Sequence, residues 1–585
     1  MLTGFKAAFN ARDDLKKYGD NALLLFALQL RFQIENIDSV AVNSLTDGND
    51  DKKCDLVYVD EDNGYIIVAQ SYYSQNTAKL SAKANKASDL NTAASWLFNR
   101  SIDDLPERLK PAAVELRSAL SANKISSVQF WYVHNLPESE SVKDELKTVE
   151  ATVKKLVESN FPDSEVTEIK AVEVGQRTLD EWYRSLTNPI LVGNSFRVPI
   201  PYGGFKISGE NWDSFVTTIP ASWLYDVFSQ HKDALFSSNI RGYLGSRKSK
   251  NNINNGIKQT VGQDPGHFWV FNNGLTVLVH DFKLLEDDSI LFITGLSIVN
   301  GAQTTGAIGS LNTRPSQNAM VPARFVKCSD VKTVKGIIEY NNKQNPVEPA
   351  DFRSGDPIQR RLCEEFKKIP SVTYLGGRRG GAEDVIRRQP NLLPSDTAAQ
   401  VLAAFHQEPI IAYHEKSRIW IEDGLYSRFF SEQTHADHIV FAYSLLRAIE
   451  NKKQELISKD GLTQNEQSQL EFLRYRGATL LLTAAIASCL ETLLGRAITN
   501  LFDVSFGNAT SPEEGEQYWK PIVELTIPFS SQLLPSIKKG LKNSENIKAA
   551  IKNFQDMVGS IVGSCRISGN IKVLDDFSSK VRLKR

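Results

Sequence analysis

Apolar residues at helical spacing open the chain. Leu23, Leu24, Phe26, Ala27, Leu30 and Phe32 recur on one face, so residues 1 to about 35 are predicted to be helical. The turn-rich run TDGNDDKKCD follows. Two short segments of strand composition come next, 55–60 (DLVYVD) and 64–71 (GYIIVAQS). Glu61, Asp62, Asn63 and Gly64 between them give a hairpin signal, because Asn and Gly accept a left-handed backbone. Leu80, Leu90, Trp96 and Leu97 predict a helix over 77–99, SSVQFWYVHN a strand over 126–135, and VKDELKTVEATVKKLVES a helix over 142–159. Paired strands with flanking helices define an α/β domain. Asn188, Pro189, Pro199 and the Pro201, Tyr202, Gly203, Gly204 cluster then punctuate the chain.

The middle of the chain is mixed. Residues 218–245 combine an amphipathic helix with a Gly-broken basic loop around Arg241. FWVFNNGLTVLV (268–279) predicts two short strands turning at Asn272, Asn273 and Gly274. SIVNGAQTTGAIGSL (297–311) predicts a strand, a Gly turn and a helix start; VPARFVKC (321–328) predicts another strand. Residues 339–366 predict a polar loop and then a helix, where Asp351 or Asp356 would cap the turn that begins at Pro357. From 396 onward the pattern is mostly helical and ends in the basic tail KVRLKR. The most apolar stretch, 477–494, is interrupted by Thr479, Thr483, Ser488 and Glu491, which marks a buried core helix rather than a membrane span. Domains are expected at 1–187 (α/β), 188–395 (α+β) and 396–585 (helical).

Composition is that of a globular protein, with 41% hydrophobic and 23% charged residues. A formal net charge of −1 leaves no global field for a polyanion. Nucleic acid would have to be met by local patches, such as the acid-free run 234–263 with Arg241, Arg247, Lys248, Lys250 and Lys258, or Arg378, Arg379, Arg387 and Arg388. The equal alternative is a solvated loop. Cys54, Cys328, Cys363, Cys489 and Cys565 form no CxxC pair, which fits a cytoplasmic location without a zinc framework. His435 and His438 have ligand spacing but no third partner, so they are expected to be ordinary helix residues.

Candidate chemistry lies at two places. Asp55 opens one strand, and Gln70 and Tyr72 end the next. Side chains at i and i+2 of a strand share a face. A carboxylate and an amide oxygen there can hold a hard cation, Mg²⁺ or Mn²⁺, with Asp51 and Asp47 as possible further ligands and Glu35 as a weaker one. This resembles the restriction-endonuclease-like (PD-(D/E)xK) pattern, in which a Glu or Gln lies two residues before a Lys. Tyr72 departs from it, since a phenol is uncharged at neutral pH; Lys52, Lys53 or Lys79 could substitute. The alternative is that 47–51 is a solvated acidic turn and Gln70 a plain strand-end amide.

Further along, four motifs stand in order: Asn239, Arg241, Gly242 and Gly245; then FWVFNNGLT; then VNGAQTT; then NKQNPVEPADFRSGDPIQ. Together they resemble the abortive-infection phage-resistance (AIPR) family, with a last echo at LYSRFF (425–430). The resemblance implies an antiphage-defence protein whose N-terminal domain is restriction-endonuclease-like, acting as a metal-dependent DNA nuclease or a nuclease-derived sensor. The alternative is a non-catalytic module that binds nucleic acid or a nucleotide and acts with a partner protein or as a homodimer. Relatives carry an acidic residue before the Arg-Gly run at Arg378, Arg379 and Gly380, which this chain lacks. On either reading Asn300, Gly301, Gln303 and Thr304 form a strand-to-helix turn suited to phosphate. Arg241, Asn272, Asn273, Gln344, Asn345 and Arg353 are the candidates to converge on it, with Arg378 and Arg379 as further phosphate contacts. The competing reading gives the Asn and Gly residues to turn geometry.

Overall fold

Each of the residues from Ala22 to Phe32 is buried, so this helix is enclosed all round rather than amphipathic. The computed structural model describes residues 4–584 except 35, 47–50, 77, 188–189, 237–247, 286–288, 329, 343–352, 354–355, 377–390, 460 and 539. The opening is not one helix: Phe5–Asn10 is separated from Ala22–Phe32 by a 3-10 stretch, Asp13–Asn21, in which Gly19 turns to φ 55°.

The enclosed helix lies on one face of a four-stranded sheet: β1 (Leu56–Asp60), β2 (Tyr65–Tyr72), β3 (Ser127–His134) and β4 (Glu168–Val174), in that spatial order. The predicted hairpin forms. β1 and β2 are antiparallel, and the turn closes through Asn63 N donating to Asp60 Oδ1 at 2.9 Å, with Gly64 at φ 80°. β2, β3 and β4 run parallel, so helices must carry the chain across between them. Leu56, Ile67, Ala69, Trp131 and Val133 face the buried helix, where Phe32 stacks on Trp131 at 5.7 Å. Val57, Ile66, Val68, Phe130 and Tyr132 face the helices Leu90–Phe98, Lys110–Ser121 and Glu140–Asn160. The helix expected over 77–99 begins only at Ala84 and is divided at Asp89; Leu80, expected in its apolar face, is 89% exposed.

The central sheet holds β5 (Val192–Pro199), β6 (Gly204–Ser208), β7 (Trp212–Pro220), β8 (Leu275–Val279), β9 (Asp281–Leu284), β10 (Ile290–Asn300) and β11 (Met320–Cys328). Its order is β5-β10-β8-β11-β7-β6, with β9 on β10. The strands predicted at 297–300 and 321–328 are β10 and β11. The hairpin predicted at Asn272 does not form. Phe268–Phe271 is one helical turn, Asn272 is extended (φ −111°), and β8 pairs instead with β10 and β11. Non-local pairing outweighed the local Asn-Gly signal. The polar loop expected from 339 starts inside a helix, Val331–Asn342. Asp356 does cap the Pro357–Phe366 helix, accepting from Ile358 N at 2.7 Å.

The remaining chain is helical, around one core that includes Trp420, Phe429, Phe441 and Trp519 and draws in Leu362 and Phe366. Every residue from Ala478 to Ala487 is buried, as expected of a core helix. No helix among the described residues is long and apolar enough to cross a membrane. The terminal KVRLKR is not a free tail. Arg582–Leu583 (β13) pairs with Val504–Ser505 (β12), and Lys584 Nζ reaches Asp437 Oδ1 at 3.0 Å.

Buried polar groups join this helical region to the N-terminal unit. Arg476 donates to Val57 O on β1 and pairs with Glu115, which also accepts from the Tyr413 hydroxyl. Lys453 donates to Val42 O, and Asn36 Nδ2 donates to Thr397 Oγ1 at 3.0 Å. β1 is the edge of its sheet, so Arg476 satisfies a carbonyl that no strand covers.

Candidate functional site

The N-terminal candidates collect where β1 begins and β2 ends. Asp55 N donates to Ala69 O at 2.9 Å, and Ser71 N donates to Asp55 Oδ2 at 2.6 Å. The carboxylate thus takes the ladder position that a β1 carbonyl would have filled. Gln70 follows Ile66 and Val68 on the helix-covered face. It is only 5% exposed, and its Oε1 has no hydrogen-bond partner among the described residues. A buried amide oxygen left without a donor costs roughly 1–3 kcal/mol. Tyr132 stands beside Gln70 in the parallel ladder; burial pushes its phenol well above the ordinary range.

Tyr72 lies two residues on. Lys79 Nζ donates to its hydroxyl at 3.1 Å, and that bond lowers the phenol below its usual range. Of the three lysines expected as substitutes, Lys79 is the one whose ammonium donates to Tyr72. Lys53 Nζ is 3.7 Å from Asp89 Oδ2, and Lys52 Nζ lies 4.6 Å from the Trp96 ring centroid. Asp51 serves its own turn: Oδ1 accepts from Lys53 N at 2.8 Å while Lys52 and Lys53 adopt positive φ. Cys54, fully buried with Asp55 and Asp51 near it, has its thiol pushed up to about 12, chiefly by burial. Among the described residues no group of three or more His, Cys, Asp or Glu side chains could hold a metal ion. Glu35 and Asp47 lie outside the described residues.

In the central sheet two motifs interlock. Asn272 Oδ1 accepts from Gly274 N at 2.9 Å, while its Nδ2 donates to Thr304 Oγ1 at 3.0 Å. Gly301 turns at φ 94°, and a Cβ there would lie 2.2 Å from Leu275 Cδ2. The glycine is therefore demanded by the close passage of the 274–275 chain as well as by its own backbone. Asn273 is exposed, and Asn300 and Gln303 are half-buried around the same turn. Arg353 is not brought to this cluster. Its guanidinium donates to Trp420 O at 3.0 Å and to Asp423, and packs 4.4 Å from the Tyr426 ring centroid. Arg241, Gln344, Asn345, Arg378 and Arg379 lie outside the described residues. A group missed in the sequence is Arg324, which donates to Thr276 Oγ1 at 2.7 Å and to Asn341 Oδ1 at 2.5 Å. Only the strand alternation of β8 and β11 would have paired it with Thr276.

His435 and His438 do not share a site. His435 Nδ1 is 3.1 Å from Glu365 Oε1, whereas His438 Nε2 is 3.0 Å from His406 Nε2.

A family model described as AIPR protein matches residues 236–534. That is more than half of the 585 residues, and the chain belongs to the AIPR family. Membership associates it with abortive-infection antiphage defence. The match runs well past the last polar motif near 430 into the apolar helical region, and it begins after the N-terminal sheet. No curated protein and no solved structure matches the chain.

Proposed function

We propose that this chain acts in antiphage defence through its N-terminal α/β unit, read as a nuclease-derived domain of restriction-endonuclease type that engages DNA with Mg²⁺ or Mn²⁺. The observation that carries the reading is the buried Oε1 of Gln70, without a hydrogen-bond partner among the described residues, one residue from the Ser71 N–H that Asp55 accepts. Asp55 and Gln70 are the oxygen donors that would hold the ion. One carboxylate and one amide suit Mg²⁺, which keeps several waters and takes few protein ligands. A bound divalent ion supplies Lewis-acid chemistry and a more acidic water. Lys79, held at the Tyr72 hydroxyl, brings positive charge to where the resembling pattern has its lysine. The central Asn272 to Thr304 turn is assigned a regulatory role, binding a nucleotide or nucleic acid. The test is nicking of supercoiled plasmid by the full chain with Mg²⁺ or Mn²⁺, beside Asp55→Ala. Cleavage by the parent alone supports the reading; equal cleavage by both, or none, removes it.

A second reading is a non-catalytic binding module working with a partner. It is favoured by Tyr72 itself and by Asp51 and Asp55 each satisfying a backbone N–H of the local fold. Cleavage that appears only in Tyr72→Lys would select this second reading.

A further inference from the structure

Residues 63–88 contain no Asp or Glu, and their only basic residues are Lys79, Lys83 and Lys86. Two of these ammonium groups converge on one ring. Lys79 Nζ is 5.8 Å from the Tyr72 centroid while bonded to its hydroxyl, and Lys86 Nζ is 5.6 Å from the same centroid. Among the described residues none of the three lysines forms an ion pair, and the next acid along the chain, Asp89, is turned to Lys53. Like charges held around one phenol repel each other, and a counter-anion between them removes that cost. The segment is anchored at both ends. Asn135 Oδ1 accepts from Ser74 N and Asn135 Nδ2 donates to Ser74 O, both at 2.8 Å, and the Ala84–Ser88 helix begins beyond Lys83. Between these anchors Leu80 stands 89% exposed among the lysines. A basic loop carrying one exposed apolar side chain has the chemistry of a nucleic-acid contact, where ammonium groups take phosphates and an aliphatic group lies on sugar or base.

We propose that residues 79–86 form a phosphodiester-backbone binding site, in which Lys79, Lys83 and Lys86 contact phosphates and Leu80 contacts the sugar or base edge. The site rests on the reading of the N-terminal unit only in what it serves, because it lies at the end of β2 that carries Gln70. Binding itself needs no metal. The test is fluorescence anisotropy of the full chain in EDTA with labelled duplex DNA, single-stranded DNA and duplex RNA of one sequence, over a range of salt. The variants are Lys79→Ala/Lys83→Ala/Lys86→Ala, Leu80→Ser, and a control in other exposed lysines, Lys143→Ala/Lys147→Ala/Lys548→Ala. Each lost phosphate contact lowers the salt slope by about 0.9 on duplex DNA, so the triple variant should lose roughly 2–3 in slope and at least about tenfold in affinity. Leu80→Ser should weaken binding with the slope unchanged. Which of the three probes binds best identifies the nucleic acid. Binding by the triple variant equal to the parent or to the control, or no binding by the parent, overturns the proposal. Heparin bound as tightly as nucleic acid and lost in the same variant would reduce the site to a general polyanion patch and overturns it too. A parent that binds through these lysines but never cleaves would leave this site standing while the nuclease reading falls.

Discussion

Arg476 joins the family-matched helical region to the edge strand of the N-terminal sheet, and its removal should be costly in a way that a second substitution reverses. Its side chain is 6% exposed and that of Glu115 13%. In Arg476→Met the Glu115 carboxylate loses its ion partner in a buried setting and Val57 O loses its donor. Breaking a buried pair from one side costs about 3–5 kcal/mol, whereas replacing both partners with apolar groups of similar volume is often close to neutral. Arg476→Met alone should therefore open the β1 edge by at least about 3 kcal/mol, and Glu115→Leu/Arg476→Met should cost less than that single change. The suitable assay is native-state hydrogen exchange read on peptides covering residues 55–60, because it reports local opening and needs no two-state unfolding of a long chain. A loss of about 3 kcal/mol corresponds to exchange on the order of a hundredfold faster. The reasoning fails if the single variant changes exchange less than about fivefold, or if the two substitutions simply add.

Stability should fall as pH drops below neutral through the His406 and His438 pair. Burial holds the two rings down to about 2 and about 4, so both stay neutral in the fold, with His438 Nδ1 donating to Val504 O. The unfolded chain takes up these protons near pH 6.5, so stability present above that pH is lost as pH falls toward 4, on the order of 3 kcal/mol from His438. Thermal melts between pH 7 and 4.5 should show the decline, and His438→Gln should flatten it; parallel profiles for parent and variant would refute the assignment. Gly301→Ala should cost about 2 kcal/mol or more, from its φ of 94° and the contact with Leu275, and an unchanged Tm would contradict the geometry. Trp519→Ala empties a fully buried site whose indole N–H donates to Phe441 O, and should cost about 3–5 kcal/mol in chemical denaturation of the helical region.

The sequence alone carried whatever depends on near neighbours. The Asn63-Gly64 turn, the strands at 127–134 and 320–328, the Asp356 cap and the buried 478–488 helix were legible because periodicity, turn chemistry and capping act within a few residues. The ordered polar motifs likewise announced the family. Tertiary structure decided the rest. Asn272 looked like a hairpin residue until β8 found its partners on β10 and β11, because ladder hydrogen bonds from distant strands outweigh one turn preference. Leu80 looked like a core residue, but the helix begins only at Ala84 and leaves it exposed. Arg353 looked free to meet phosphate until the helical region supplied Trp420, Asp423 and Tyr426. Whether a polar side chain is spent on the fold or left to act depends on groups far away in sequence, and only the packed chain brings those groups within bonding distance.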